Sequence, residues 1–186
     1  MAKLIYSMFT SLDGFVEDAG GGFGWAAPSE EVHAYANDLA SPVGTYLFGR
    51  KMYETMVFWE TAHELPGLGD IELAFARGWR AAQKVVYSRS RAAPRSERTR
   101  IEAVFDPDAV RRLVAEAEHD VAIAGPELAA QAVTAGLIDE YHVILAPVLV
   151  GGGKRFFPPG VRAELRLVAE RSFDDGFVAL RFAAGR

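Results

Sequence analysis

The feature that most constrains this chain is the order in which its hydrophobic pattern changes period. Short β-rich runs alternate with stretches of helical spacing through most of the sequence, and the last part holds strands alone. Lys3 to Thr10 reads as a strand broken by Ser11-Leu12-Asp13-Gly14, followed by a Gly-rich loop from Asp18 to Trp25. Pro28-Ser29-Glu30-Glu31 predicts a helix start, and Val32, Tyr35, Ala36 and Leu39 give it one apolar face. Thr45 to Phe48 predicts a buried strand ending at Gly49, and helical spacing resumes at Arg50 with Met52, Met56 and Trp59. Ile71 to Gln83 predicts a further helix, Lys84 to Tyr87 a strand, 90–99 an exposed connection, and Arg100 to Phe105 another strand. Asp106-Pro107 combines a capping acid with proline at the first helical position, and Val110, Leu113, Val114 and Ala117 continue that helix. Asp120 to Ala124 predicts a strand, Glu127 to Ala135 a helix stopped by Gly136, and Ile138 to Val150 a long strand. Two final strands, Glu164 to Phe173 and Phe177 to Phe182, flank Asp174-Asp175-Gly176, a hairpin signal.

Alternating strand–helix units require a mainly parallel sheet with helices on both faces, and the closing hairpin requires antiparallel pairing at one edge. The expected fold class is therefore α/β: a three-layer αβα sandwich over residues 1–186 as one domain, with a mostly parallel mixed sheet. A 50% hydrophobic fraction supports a real core and excludes whole-chain disorder. With no cysteine, the chain has no disulfide scaffold, thiolate zinc site or cysteine nucleophile. The net charge of −5 argues against nucleic acid as a partner, and no apolar run approaches the ~20 residues that span a bilayer. A cytoplasmic protein with a small-molecule substrate is the expectation.

Three segments share one layout, a strand end followed by Gly or Ser and then a basic residue or a helix start. They are Leu47-Phe48-Gly49-Arg50-Lys51, Val85-Val86-Tyr87-Ser88-Arg89 and Ile123-Ala124-Gly125-Pro126-Glu127. In an open α/β sheet, ligands sit beyond the carboxyl ends of the strands, where helix N-termini favour anions. Taken singly, each segment reads more readily as a tight turn with a solvated basic rim. Together on one sheet edge they point to an extended polyphosphate. Gly151-Gly152-Gly153-Lys154 is no phosphate-binding P-loop, because Val148 and Arg155 stand where Gly and a hydroxyl residue belong. His33, His63, His119 and His142 lack metal-ligand spacing, so no metal is expected.

Ser11-Leu12-Asp13-Gly14, Gly49-Arg50-Lys51-Met52-Tyr53-Glu54 and Pro147-Val148-Leu149-Val150-Gly151-Gly152-Gly153-Lys154, in this order and spacing, resemble the dihydrofolate-reductase-like family. Within it the chain is most similar to the reductase domain of riboflavin biosynthesis and its stand-alone relatives, over Lys3 to Phe182. The resemblance implies NADPH as cofactor and hydride transfer to a pterin or to a riboflavin precursor, as in a 5-amino-6-(5-phosphoribosylamino)uracil reductase. It implies that Gly49, Arg50 and Lys51 hold cofactor phosphates and that Ser88 and Arg89 flank the adenosine 2′-phosphate. Gly125, Glu127 and Leu128 would line the pyrophosphate, and Gly151 and Gly152 would admit the nicotinamide side.

Asp13 would face the reacting region as the catalytic residue, orienting substrate or relaying a proton; a turn residue is the other reading. Trp25 would close over a substrate ring, or else pack its loop onto the body. Two positions depart from the family pattern: Met52 replaces a hydroxyl residue, and Pro126 removes an N–H from the phosphate turn. They sustain a rival reading, a ligand-binding protein without turnover. The aromatic and β-branched content of the last strands (Tyr141, Val143, Phe173, Phe177 and Phe182) predicts a homodimer.

Overall fold

The computed structural model describes residues 1–90 and 93–185. Its elements in chain order are β1 (Leu4–Ser11), β2 (Phe15–Glu17), α1 (Glu30–Ala40), β3 (Val43–Gly49), α2 (Arg50–Met56), α3 (Asp70–Ala81), β4 (Gln83–Tyr87) and β5 (Thr99–Glu102). They continue with α4 (Pro107–Glu116), β6 (Asp120–Ala124), α5 (Pro126–Thr134), β7 (Glu140–Ala146), β8 (Lys154–Arg155), β9 (Leu165–Ser172) and β10 (Val178–Ala184). Eight strands form one sheet in the order β5-β4-β3-β6-β1-β7-β10-β9, and β2 and β8 form a second, two-stranded sheet. From β5 to β7 all neighbours are parallel, while β10 is antiparallel to both β7 and β9.

Strand alternation sends side chains to two faces, each covered by helices. On one face Leu4, Tyr6, Leu47, Ile123 and Val143 pack with Val110 of α4 and Leu128, Ala132 and Val133 of α5. On the other, Tyr46, Phe48 and Ala122 meet Tyr53 of α2 and Trp79 of α3, and Ile144 and Ala146 meet Val32 of α1. The strands are short and apolar on both faces because both faces are covered.

Several expected boundaries shift for local reasons. The strand expected over Ile138 to Val150 is β7, which ends at Ala146 because Pro147 has no N–H for the ladder. The helix expected to reach Gln83 stops at Ala81; Ala82 is extended (ψ 154) and Gln83 already belongs to β4. The strand expected to reach Phe105 ends at Glu102. Within the expected connection over 90–99, Arg91 and Ala92 lie outside the described residues. The aromatic and β-branched residues behind the homodimer expectation have partners within the chain: Tyr141, Val143, Phe173 and Phe177 are buried in its own cores, and Phe182 packs against one of them.

Candidate active site

One cavity of about 1500 Å³ opens along the carboxyl ends of β4, β3 and β6 and runs inward between α1 and the sheet. Single small-molecule pockets hold roughly 300–1,000 Å³. The space therefore suits a ligand longer than one ring system. Gly49, Arg50, Lys51, Ser88, Arg89, Gly125, Glu127 and Leu128 all lie on its wall. They come from three distant parts of the sequence and meet because β4, β3 and β6 are neighbours.

Gly125 caps α5 with φ +93°, a conformation that favours glycine, and a Cβ there would sit 3.1 Å from Cβ of Met52. As a glycine it offers no capping side chain, so the first-turn amides of Glu127 and Leu128 have no partner within the helix. Pro126 occupies the first helical position, where a missing N–H costs the helix nothing. Arg50 forks onto both carboxylate oxygens of Glu54 at 3.1 Å, while Lys51 and Arg89 are exposed on the rim. Ser88 is buried, and its hydroxyl accepts the Ser90 N–H at 3.3 Å. Backbone N–H groups, a tight glycine and cations along one strip fit the phosphates of a dinucleotide.

The other four expected residues lie off this wall. Asp13 is held by its own neighbourhood: its carboxylate accepts Ser11 Oγ–H at 2.6 Å, Gly151 N–H at 2.8 Å and Val150 N–H at 3.2 Å. The Ser11 hydrogen bond is the main cause that lowers its pKa, so at neutral pH it is an ionised clamp and a poor proton donor. It ties the turn after β1 to the segment that carries Gly151 and Gly152. Trp25 packs against the core beside Val32 and Phe173 and donates Nε1–H to Gly22 at 3.2 Å, so it fastens its loop to the body. Its neighbour Phe23, exposed, is the aromatic residue of that loop on the cleft wall.

Asp13→Asn puts an N–H donor against an incoming backbone N–H and loosens the 147–153 segment. We expect kcat/KM to fall by roughly 10²-fold, the scale of a ~1 Å misplacement. The shape of its pH profile should stay unchanged where Asp13 acts as a clamp alone. A pH-rate comparison of the two proteins checks this, and loss of the acidic limb alone would restore the proton-relay role.

The cleft also contains residues that no sequence motif singles out as functional. Lys154 of β8 bridges Glu17 of β2 at 3.0 Å and Glu127 of α5 at 3.2 Å. Burial works to lower its pKa, and the hydrogen bonds it donates to these two carboxylates outweigh it, so the ammonium is held charged. His142 lines the inner part of the cavity from β7 and is 3% exposed. Its polarity in an apolar strand was the available signal. Among the described residues no group of His, Asp or Glu is arranged to hold a metal, and no helix is long and apolar enough to cross a membrane.

A mostly parallel sheet between helical layers, with its cleft at these strand ends, is the architecture of dihydrofolate-reductase-like proteins. Dihydrofolate reductase of Enterococcus faecalis, solved as a complex with NADP(H), superimposes with a TM-score of 0.64 at 12% identity, covering 99% of this chain and 97% of that one. A pyrimidine reductase-like protein of Corynebacterium diphtheriae gives 0.71 at 14% identity, over 100% of this chain and 92% of its own. The chain belongs to the RibD C-terminal domain family, whose family model matches residues 2–179. It is 26% identical over 184 residues to YyaP of Bacillus subtilis, an uncharacterized protein, with 96% of this chain and 93% of that one covered.

Proposed function

We propose that the chain is a cytoplasmic NADPH-dependent reductase acting on a small heterocyclic or ribosyl substrate, of the pterin or riboflavin-precursor type. The observation that carries this reading is the convergence of Gly49, Arg50, Lys51, Ser88, Arg89, Gly125, Glu127 and Leu128 on one cleft. Family membership and the NADP(H) bound by the Enterococcus faecalis reductase support it. Bound NADPH would supply the hydride. The amides of Glu127 and Leu128 would take the pyrophosphate, and Arg89 beside Ser88 the 2′-phosphate. Asp13 would position the Gly151–Gly152 segment, and Phe23 would shield the cleft from water.

The reading is tested by titrating NADPH and NADH into the protein by nicotinamide fluorescence. NADPH should bind more tightly, and Arg89→Ala should cost NADPH about tenfold while leaving NADH unchanged, the lower end for a charged hydrogen bond at an exposed site. Equal affinities in the parent protein would overturn the site. Binding without turnover of any pterin, flavin precursor or quinone would favour the rival, a binding protein.

We also propose a homodimer, now on a different ground. β9 ends the sheet, and Leu167 and Val168 on it are 46% and 42% exposed. An apolar edge strand is a pairing surface. A monomeric mass by light scattering at micromolar concentration would count against it.

A further inference from the structure

His142 sits directly across from Ser7 of β1 and Arg181 of β10 in the sheet register. Its Nε2 lies 3.1 Å from Oε2 of Glu140, whose carboxylate also receives Arg181 at 3.1 Å and Lys3 at 2.5 Å. Burial works to raise the Glu140 pKa, but these three partners outweigh it and hold the carboxyl at about 2. An ionised carboxylate can only accept, so Nε2 carries the hydrogen and donates. The tautomer is thereby fixed by the neighbour. Burial, chiefly, and then the Arg181 and Lys3 charges push the imidazole pKa down against the pull of Glu140, so the ring is neutral near pH 7.

A neutral ring with its hydrogen on Nε2 leaves Nδ1 as a bare acceptor. That atom is buried and has no hydrogen-bond partner. Arg181 Nε is also buried without one, and no hydrogen bond joins the two. Native proteins satisfy nearly all such atoms, so each exception needs an explanation. His142 lines the cavity together with Ile5, Ser7, Phe9 and Ile144, and Asn37 of α1, whose Oδ1 is likewise buried without a partner, lines it too.

We propose that His142 Nδ1 accepts a hydrogen bond from a ring N–H of the substrate, so that the inner cleft selects planar heterocycles with a donor edge over those that lack one. This rests on the reductase reading of the same cleft and narrows its substrate class. Walls of this kind favour a ring by area, and a buried unpaired acceptor fixes its orientation. A ring methylated at that nitrogen would leave Nδ1 unpaired.

The test uses the protein saturated with NADP⁺ and labelled with ¹⁵N-histidine, with uracil and lumazine compared against 1,3-dimethyluracil and 1,3-dimethyllumazine. We expect the His142 Nδ1 resonance to report a bare nitrogen at first and to move upfield when an N–H compound binds. The dimethyl compounds should bind at least about tenfold more weakly. In His142→Phe that discrimination should disappear. The proposal is overturned by an Nδ1 already hydrogen-bonded before ligand, by equal affinities within each pair, or by no binding of either N–H compound. Should His142→Phe fail to fold, the wild-type comparison decides alone. The dinucleotide titration on the same sample reports separately on the cofactor half of the cleft, so failure there leaves the Nδ1 result readable.

Discussion

Gly153→Ala should be among the most damaging single-methyl changes in this chain. A Cβ at Gly153 would stand 1.9 Å from the carbonyl oxygen of Glu17 and 2.8 Å from Cα of Asp18, and both are backbone atoms that cannot rotate away. The glycine also has φ +130°, which a side chain rarely adopts. Relief requires β8 to leave β2, breaking the pairing of Glu17 with Lys154 and of Phe15 with Arg155. The Lys154 bridges to Glu17 and Glu127 would separate with it. Steric and backbone strain together place the cost on the order of 4 kcal/mol, a Tm drop of roughly 10 °C for a domain of this size. Thermal denaturation followed by circular dichroism checks this; a Tm within ~2 °C of the parent would mean that the β2–β8 segment rearranges freely. The damage reaches function through position, because Glu17 and Lys154 form part of the cleft wall.

Much of the architecture could be read from the residues because local signals agreed with the global fold. Asp106 accepts the Asp108 N–H at 2.9 Å with Pro107 opening α4, the cap that the pair Asp-Pro announces. Ser29 accepts the Val32 N–H at 3.4 Å at the start of α1. Asp174-Asp175-Gly176 makes the expected hairpin, with Gly176 at φ +87°. The strand-end segments at Gly49, Ser88 and Gly125 were equally legible, since parallel strands put their carboxyl ends on one edge.

What remained hidden depends on long-range partners. β2 and β8 have three and two residues, too few to show a period. Asp13 finds its partners at Val150 and Gly151, 137 and 138 positions away, so no local pattern separates a clamp from a proton relay. Phe23 and Trp25 are equivalent aromatics on one loop until packing half-buries Trp25 against the core under α1 and leaves Phe23 in the cleft. The homodimer expectation rested on aromatic and β-branched residues, and which of them pack within the chain depends on such partners too. His142 looks like any histidine until Glu140 fixes its tautomer.

Gly125→Val should weaken NADPH and NADH together, by roughly 10²-fold each, while the protein stays folded. Valine at φ +93° carries backbone strain of about 1–3 kcal/mol, and its Cβ starts 3.1 Å from Cβ of Met52 before the branches are added. The cheapest relief is a shift of the β6–α5 turn away from α2. That turn carries the Glu127 and Leu128 amides, and a charged acceptor loses about 1.5–3 kcal/mol per hydrogen bond misaligned. Both dinucleotides share the pyrophosphate, so the loss must be common to them. Arg89→Ala acts instead on a group that only NADPH has. Titrating both cofactors into both variants therefore separates two contacts within one cleft: parallel losses for Gly125→Val, and a selective loss for Arg89→Ala. A selective loss of NADPH in Gly125→Val would move the pyrophosphate away from the head of α5, and unchanged affinities would remove it from this edge of the sheet.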